Sequence, residues 1–201
     1  MNFTNEKNPK IFSVSKNLED FWHEKKQFLN KPDKSMAQGI DKAILPLCKK
    51  INKNSAYYTT SSCAGRIILI KETGKKQENA FFKVWHDKIS LKDLLTELAK
   101  IQYKGVAYFR QEPCIMHIAC NNIQNAEKIM QLARHSGWKK SGIISLKKNI
   151  AEIVSTELIA TPVMDKGKVL INDEYLKIMV SEANKKLKQT REKIKQLEKA
   201  I

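Results

Sequence analysis

Segments with helical spacing alternate with short β-branched and aromatic runs from one end of this chain to the other, and no Pro-, Gly- or Ser-rich linker separates them. That alternation predicts a single α/β domain over residues 1–201, with a mixed β-sheet and flanking helices. Leu18, Phe21, Trp22, Lys25, Phe28 and Leu29 mark a first helix, followed by a polar break over residues 30–39. Ile40, Ile44, Leu47 and Ile51 mark a second, with Asp41 in its first turn and Pro46 limiting or kinking it. Residues 57–60 and 66–70 read as strands flanking a turn or bulge at residues 61–65. A surface loop at 71–79 leads to further strands at 81–86, 106–110, 114–119, 142–146, 150–156 and 169–171. Ser90 and Asp93 form a capping-box pair ahead of Leu91, Leu94, Leu95 and Leu98, and Asn121 or Asn122 caps a helix that Gly137 stops. A basic helix over 173–200 closes the chain, its apolar stripe read through Tyr175, Ile178, Met179, Ala183, Leu187, Ile194 and Leu197.

Several function classes are excluded by what the chain lacks. No two of its seven glycines are separated by a single residue, so there is no GxGxxG turn, and no GxxxxGK[ST] phosphate loop is present. Any nucleotide-like cofactor needs another cradle. The longest apolar runs fall far short of the roughly 20 residues needed to cross a bilayer, so no membrane association is expected. The N-terminus lacks a secretory signal, and four scattered cysteines without a CxxC pair suit a reducing, cytoplasmic setting. The formal net charge of +16 attracts polyanions, nucleic acid first among them.

The densest group of chemistry-bearing residues is TTSSCAGR, Thr59 to Arg66. Its hydroxyls and backbone N–H groups, Gly65 for close approach and the Arg66 guanidinium suit an anion cradle; a polar turn satisfying its own backbone is the equal alternative. Cys63 beside Arg66 could be a reactive thiol, although a buried cysteine is commoner. Cys114, His117 and Cys120 have zinc-like spacing, but on a strand His117 faces away from both cysteines, so no metal is expected. His117 and His86 are each either a core histidine or an acid/base group, with the core reading favoured by base rate. Asp41 reads more simply as a helix N-terminal charge. Tyr57, Tyr58, Trp85 and Trp138 are core residues or bases' stacking partners.

TTSSCAGR, the upstream DKSMAQGID (33–41), EPCIMHIAC (112–120), HSGWKKSGI (135–143), EIVSTE and DEYLKIMVSEANKKL together resemble the tRNA wybutosine-synthesising protein 3 family. The family's [ST]xSSCxGR motif is met at Thr59, Ser61, Ser62, Cys63, Gly65 and Arg66. The resemblance covers the chain from about Asp33 onward and leaves residues 1–30 as an N-terminal extension. It implies an S-adenosylmethionine-dependent methyltransferase with an α/β fold that is not of the Rossmann type, consistent with the absent glycine fingerprint. The implied substrate is tRNA-Phe carrying a tricyclic guanine derivative beside the anticodon, methylated on a ring nitrogen. The family's aspartate and histidine fall at Asp41 and His117, as catalytic candidates, with a second histidine at His86. The motif residues are implied to bind the cofactor or the base. A noncatalytic basic RNA-binding module and a thiol enzyme are the alternatives from other classes.

Overall fold

The computed structural model describes residues 17–30, 41–71 and 80–201. All but the first residue of the expected polar break at 30–39, residues 33–40 of the upstream motif and all but the first residue of the expected loop at 71–79 lie outside the described residues. In chain order the elements are α1 (Leu18–Asn30), α2 (Leu45–Lys53), β1 (Tyr57–Cys63), β2 (Arg66–Lys71), β3 (Phe81–Trp85), α3 (Leu91–Leu98), β4 (Ala107–Glu112), β5 (Ile115–Cys120), α4 (Ile123–His135), β6 (Gly142–Ser145), β7 (Ile150–Val154), β8 (Ile159–Asp165), β9 (Lys168–Val169) and α5 (Asp173–Ala200). The α/β class holds, but the strands divide into two sheets, β1-β5-β7-β6 and β3-β2-β4-β8-β9, and every ladder in them is antiparallel. A mixed sheet needs a parallel pair, and the connections here do not make one.

The two sheets share three lanes. β1 runs through Ala64 and Gly65 into β2, β4 runs through Pro113 and Cys114 into β5, and β7 runs through residues 155–158 into β8. The lanes keep the same order on both sides, so the sheets are joined at a bend where three strands change direction together. Ser155 stitches the bend, with its N–H donating to Cys114 O at 3.0 Å and its Oγ accepting from Cys114 N at 3.1 Å.

Each sheet buries one face. Met116, Ile118, Ala151 and Ile153 meet Ile44, Leu47 and Ile51 near α2, with Ala126, Ile129 and Ala133 from α4. Ile67, Leu69, Phe109 and Val163 meet Leu94 and Leu98 from α3. The long α5 spans both cores, since Leu176, Met179, Val180, Ala183 and Leu187 enter the second and Ile194 and Leu197 the first. Its buried stripe is not quite the one expected: Tyr175 and Ile178 stay exposed, and Leu176 and Val180 are inside.

Other local departures have simple causes. Pro46 lies in the first turn of α2, where its missing N–H costs nothing, so it starts the helix rather than limiting it. Asp41 precedes that helix and accepts a hydrogen bond from Ala43 N at 3.2 Å. β8 lies where no strand is expected from the sequence, and it pairs with both β4 and β9 although it contains Pro162. Helix starts at Ser90 and Asn122 are capped as their sequences predict.

Candidate active site

The motif forms the first lane of the bend. The expected turn at residues 61–65 is shorter than predicted, because Ser61, Ser62 and Cys63 continue β1 and pair with His117, Met116 and Ile115. Only Ala64 and Gly65 separate β1 from β2. Gly65 has φ +83°, and a Cβ there would lie 2.9 Å from Glu112 O and 3.2 Å from Cys114 N. Two backbones therefore meet at van der Waals limit, and only glycine fits.

On β5 the alternate residues Met116, Ile118 and Cys120, like Cys114 just before it, point into the core, which turns His117 to the opposite face. Ser61 and Glu152 are its register partners on β1 and β7. The three side chains make a row across the strands: Ser61 Oγ lies 2.9 Å from His117 Nδ1, and His117 Nε2 lies 2.8 Å from Glu152 Oε2. His117 and Glu152 keep 31% and 29% of their side-chain surface exposed, so this imidazole is not the core histidine favoured by base rate. A register irregularity between Thr59 and Ser61 re-aims the strand at this point. On the same face, Phe21 of α1 covers Tyr58 and Ala119, one end of the sheet, leaving the row beyond it.

A second cluster holds the bend from the α5 side. Arg191 Nη1 donates to Ala64 O at 2.7 Å, and its Nη2 donates to His86 O at 2.8 Å and to Asp41 Oδ2 at 3.0 Å, with Gly65 O at 3.4 Å. His86 Nδ1 lies 3.6 Å from the same Asp41 oxygen. Asp41 and His86 thus reach the motif through Arg191, whereas His117 reaches it directly through Ser61. Further along α5, Lys193 Nζ donates to Glu157 Oε1 at 2.5 Å and to Thr156 Oγ1 at 3.0 Å, anchoring the helix to the third lane.

The remaining motif residues have separate tasks. Thr59 is held by Asn52 at the end of α2, its N–H donating to Asn52 Oδ1 at 2.8 Å. Arg66 Nε donates to Glu112 Oε2 at 2.7 Å and its guanidinium lies 4.8 Å from the centre of the Phe81 ring. Ser62 is half-buried and its hydroxyl has no hydrogen-bond partner among the described residues. Burial pushes the Cys63 thiol up, outweighing the hydrogen bond at Gly65 and the charge of Arg66, so the reactive-thiol alternative loses its basis. Tyr57, Tyr58 and Trp138 are buried in cores, which removes them as stacking platforms, and Trp85 packs partly buried against the second core. Glu152, Arg191 and Asn52 were not singled out in the sequence. Glu152 alone had a visible signal, a carboxylate inside the apolar strand run IAEIV.

The chain matches the family described as "Methyltransferase TYW3" over residues 23–201. A Methanocaldococcus jannaschii protein named "tRNA(Phe) 7-((3-amino-3-carboxypropyl)-4-demethylwyosine(37)-N(4))-methyltransferase" is 36% identical over 178 residues, covering 86% of this chain and 92% of the relative. A Danio rerio "tRNA wybutosine-synthesizing protein 3 homolog" is 32% identical, covering 91% of this chain and 75% of its own length. A solved Pyrococcus horikoshii structure superposes with a TM-score of 0.82 at 34% identity, covering 90% of this chain and 94% of that one. The matched span contains the whole bend and both clusters around it, and on these grounds the chain belongs to the TYW3 methyltransferase family.

Proposed function

We propose that this protein methylates a ring nitrogen of the tricyclic guanosine derivative beside the anticodon of tRNA-Phe, using S-adenosylmethionine. The observation that carries this reading is His117, a partly exposed imidazole held by Ser61 of the family motif on the open face of the sheet. The names of the relatives specify the nitrogen as N4 of a 4-demethylwyosine at position 37 bearing a 3-amino-3-carboxypropyl chain, and we extend that substrate to this chain. A cytoplasmic location belongs to the same proposal.

The residues at the bend fit such a donor in their chemistry. Ser62 offers an unpaired hydroxyl, and Glu112 uses one carboxylate oxygen and leaves the other without a partner among the described residues. These groups suit the ammonium and hydroxyls of S-adenosylmethionine, while Arg66 suits its carboxylate. When bound, the donor supplies an electrophilic sulfonium methyl. The protein's own contribution is positioning, together with removal of the proton carried by the substrate nitrogen. His117 is assigned as the acceptor on the proton's route. Asp41, committed to Arg191, is assigned as the residue that fixes the bend beneath it. The target base lies in an anticodon loop and is already unpaired, so it reaches a sheet face at little unstacking cost.

Two measurements test this reading. Calorimetry with S-adenosylmethionine is expected to show saturable binding that Ser62→Ala or Arg66→Ala weakens. Mass spectrometry of tRNA-Phe from cells lacking the protein is expected to show the unmethylated base, restored to the methylated form on incubation with the protein and donor. Binding of tRNA without donor binding or methyl gain would leave the noncatalytic RNA-binding module.

A further inference from the structure

Resting on that reading, we propose that Ser61, His117 and Glu152 form a proton relay in which Glu152 sets the imidazole tautomer and Ser61 is the group that meets the substrate nitrogen. A carboxylate can only accept a hydrogen bond, so Glu152 Oε2 at 2.8 Å requires the hydrogen on His117 Nε2. In the neutral imidazole Nδ1 is then the lone-pair nitrogen, and Ser61 Oγ at 2.9 Å donates its hydrogen to it. That leaves the lone pairs of Ser61 Oγ facing outward to accept a hydrogen from a ligand. Ser61 is exposed, whereas both ring nitrogens of His117 are already engaged. A proton from the substrate therefore enters through the hydroxyl.

The step balances without a further reactant. The substrate nitrogen releases its proton to Ser61 Oγ as the serine's own proton moves to Nδ1. The electron pair left on nitrogen forms the N–CH3 bond, and the pair of the broken methyl–sulfur bond stays on the donor's sulfur. The imidazolium that results is stabilised by Glu152, a positioning residue that does not touch the substrate. The three groups hold this geometry because they sit opposite one another on adjacent ladders, Ser61 opposite His117 and His117 opposite Glu152. Nothing in the second cluster competes for the role, since Asp41 is bonded to Arg191 and reaches His86 rather than His117.

Nitrogen-15 NMR of the imidazole in the tRNA-free and donor-free protein reads the tautomer directly. The wild-type protein is expected to show Nε2 protonated and Nδ1 bare, and Glu152→Gln to show mixed tautomers; a wild-type protein protonated at Nδ1 overturns the relay. In methyl transfer, Glu152→Gln and Ser61→Ala are each expected to lower kcat by about 10- to 100-fold with KM for tRNA within about twofold, and the double variant to be no slower than the slower single one. Glu152→Asp is expected to recover part of the loss. Full activity in Glu152→Gln and Ser61→Ala, with His117→Ala inactive, sinks the relay while leaving the methyltransferase reading intact. Absence of methyl transfer by the wild-type protein sinks that reading, and the tautomer still decides whether Glu152 positions the ring.

Discussion

Arg191 carries more of the site's geometry than any residue of the motif it supports, because one planar fork gathers the Ala64 and Gly65 carbonyls of the bend, the His86 carbonyl and the Asp41 carboxylate. Lysine has a single ammonium and cannot reproduce that arrangement. Arg191→Lys and Asp41→Asn are expected to slow methyl transfer to a similar extent, with the double variant no worse than the slower single one, as measured in a double-mutant cycle. An additive loss would give Asp41 a separate catalytic role. Gly65→Ala meets both a left-handed backbone and a 2.9 Å approach to Glu112 O, and it is expected to destabilise the protein. The loss in urea unfolding is expected to be about 2–3 kcal/mol, combining backbone strain with displaced neighbours. Cys63 behaves oppositely to a nucleophile: burial raises its thiol, so native alkylation at neutral pH is expected to run more slowly than in the unfolded chain.

At the scale of elements, α5 is the brace that keeps two sheets at a fixed bend. Its apolar stripe enters both cores, and Arg191 and Lys193 fasten it to the first and third lanes. Burial alone would raise the Glu157 carboxyl, but the Lys193 hydrogen bond, with others, holds it below the ordinary carboxylate value. A depressed carboxylate contributes stability that is present above its unfolded pKa and lost as the pH falls through its folded one. Thermal unfolding of the wild-type protein is therefore expected to show a loss below about pH 4.3 that is smaller in Lys193→Met. At neutral pH that variant is expected to lose about 2–3 kcal/mol, less than for a wholly buried pair because Lys193 keeps 21% of its side chain exposed.

The whole molecule must hold a large polyanion while presenting one small face for chemistry. A formal net charge of +16 supplies the long-range attraction, and tRNA affinity is expected to fall steeply with salt whether or not the base is modified. Lys185 and Lys188 are exposed on α5, with side-chain exposures of 63% and 66%, and their partners Glu182 and Glu192 are exposed too. Exposed pairs of this kind hold their lysines weakly, so both remain available to phosphates. Lys185→Gln with Lys188→Gln is expected to weaken tRNA binding and flatten its salt dependence, leaving S-adenosylmethionine binding unchanged in calorimetry. Unchanged tRNA affinity would place the phosphate-binding surface elsewhere.

Local chemistry was written in the sequence wherever neighbours along the chain decide the outcome. The caps at Ser90 and Asn122, the helix from Leu18, the alternation through Met116 and Ile118 and the motif at Thr59 to Arg66 all depend on residues a few positions apart. The α/β class and the absence of a glycine phosphate loop follow from the same short-range patterns. What depends on register was not legible. Whether Glu152 meets His117 is fixed by which β7 residue lies opposite it, and a slip of one residue would have turned the carboxylate into the core. Arg191 is one of many basic residues on a charged helix, and only the packing of α5 over the bend aims it at Ala64 and Asp41. The division into two antiparallel sheets arises in the same way, because strand direction and partner are settled between distant segments, beyond the reach of any local spacing.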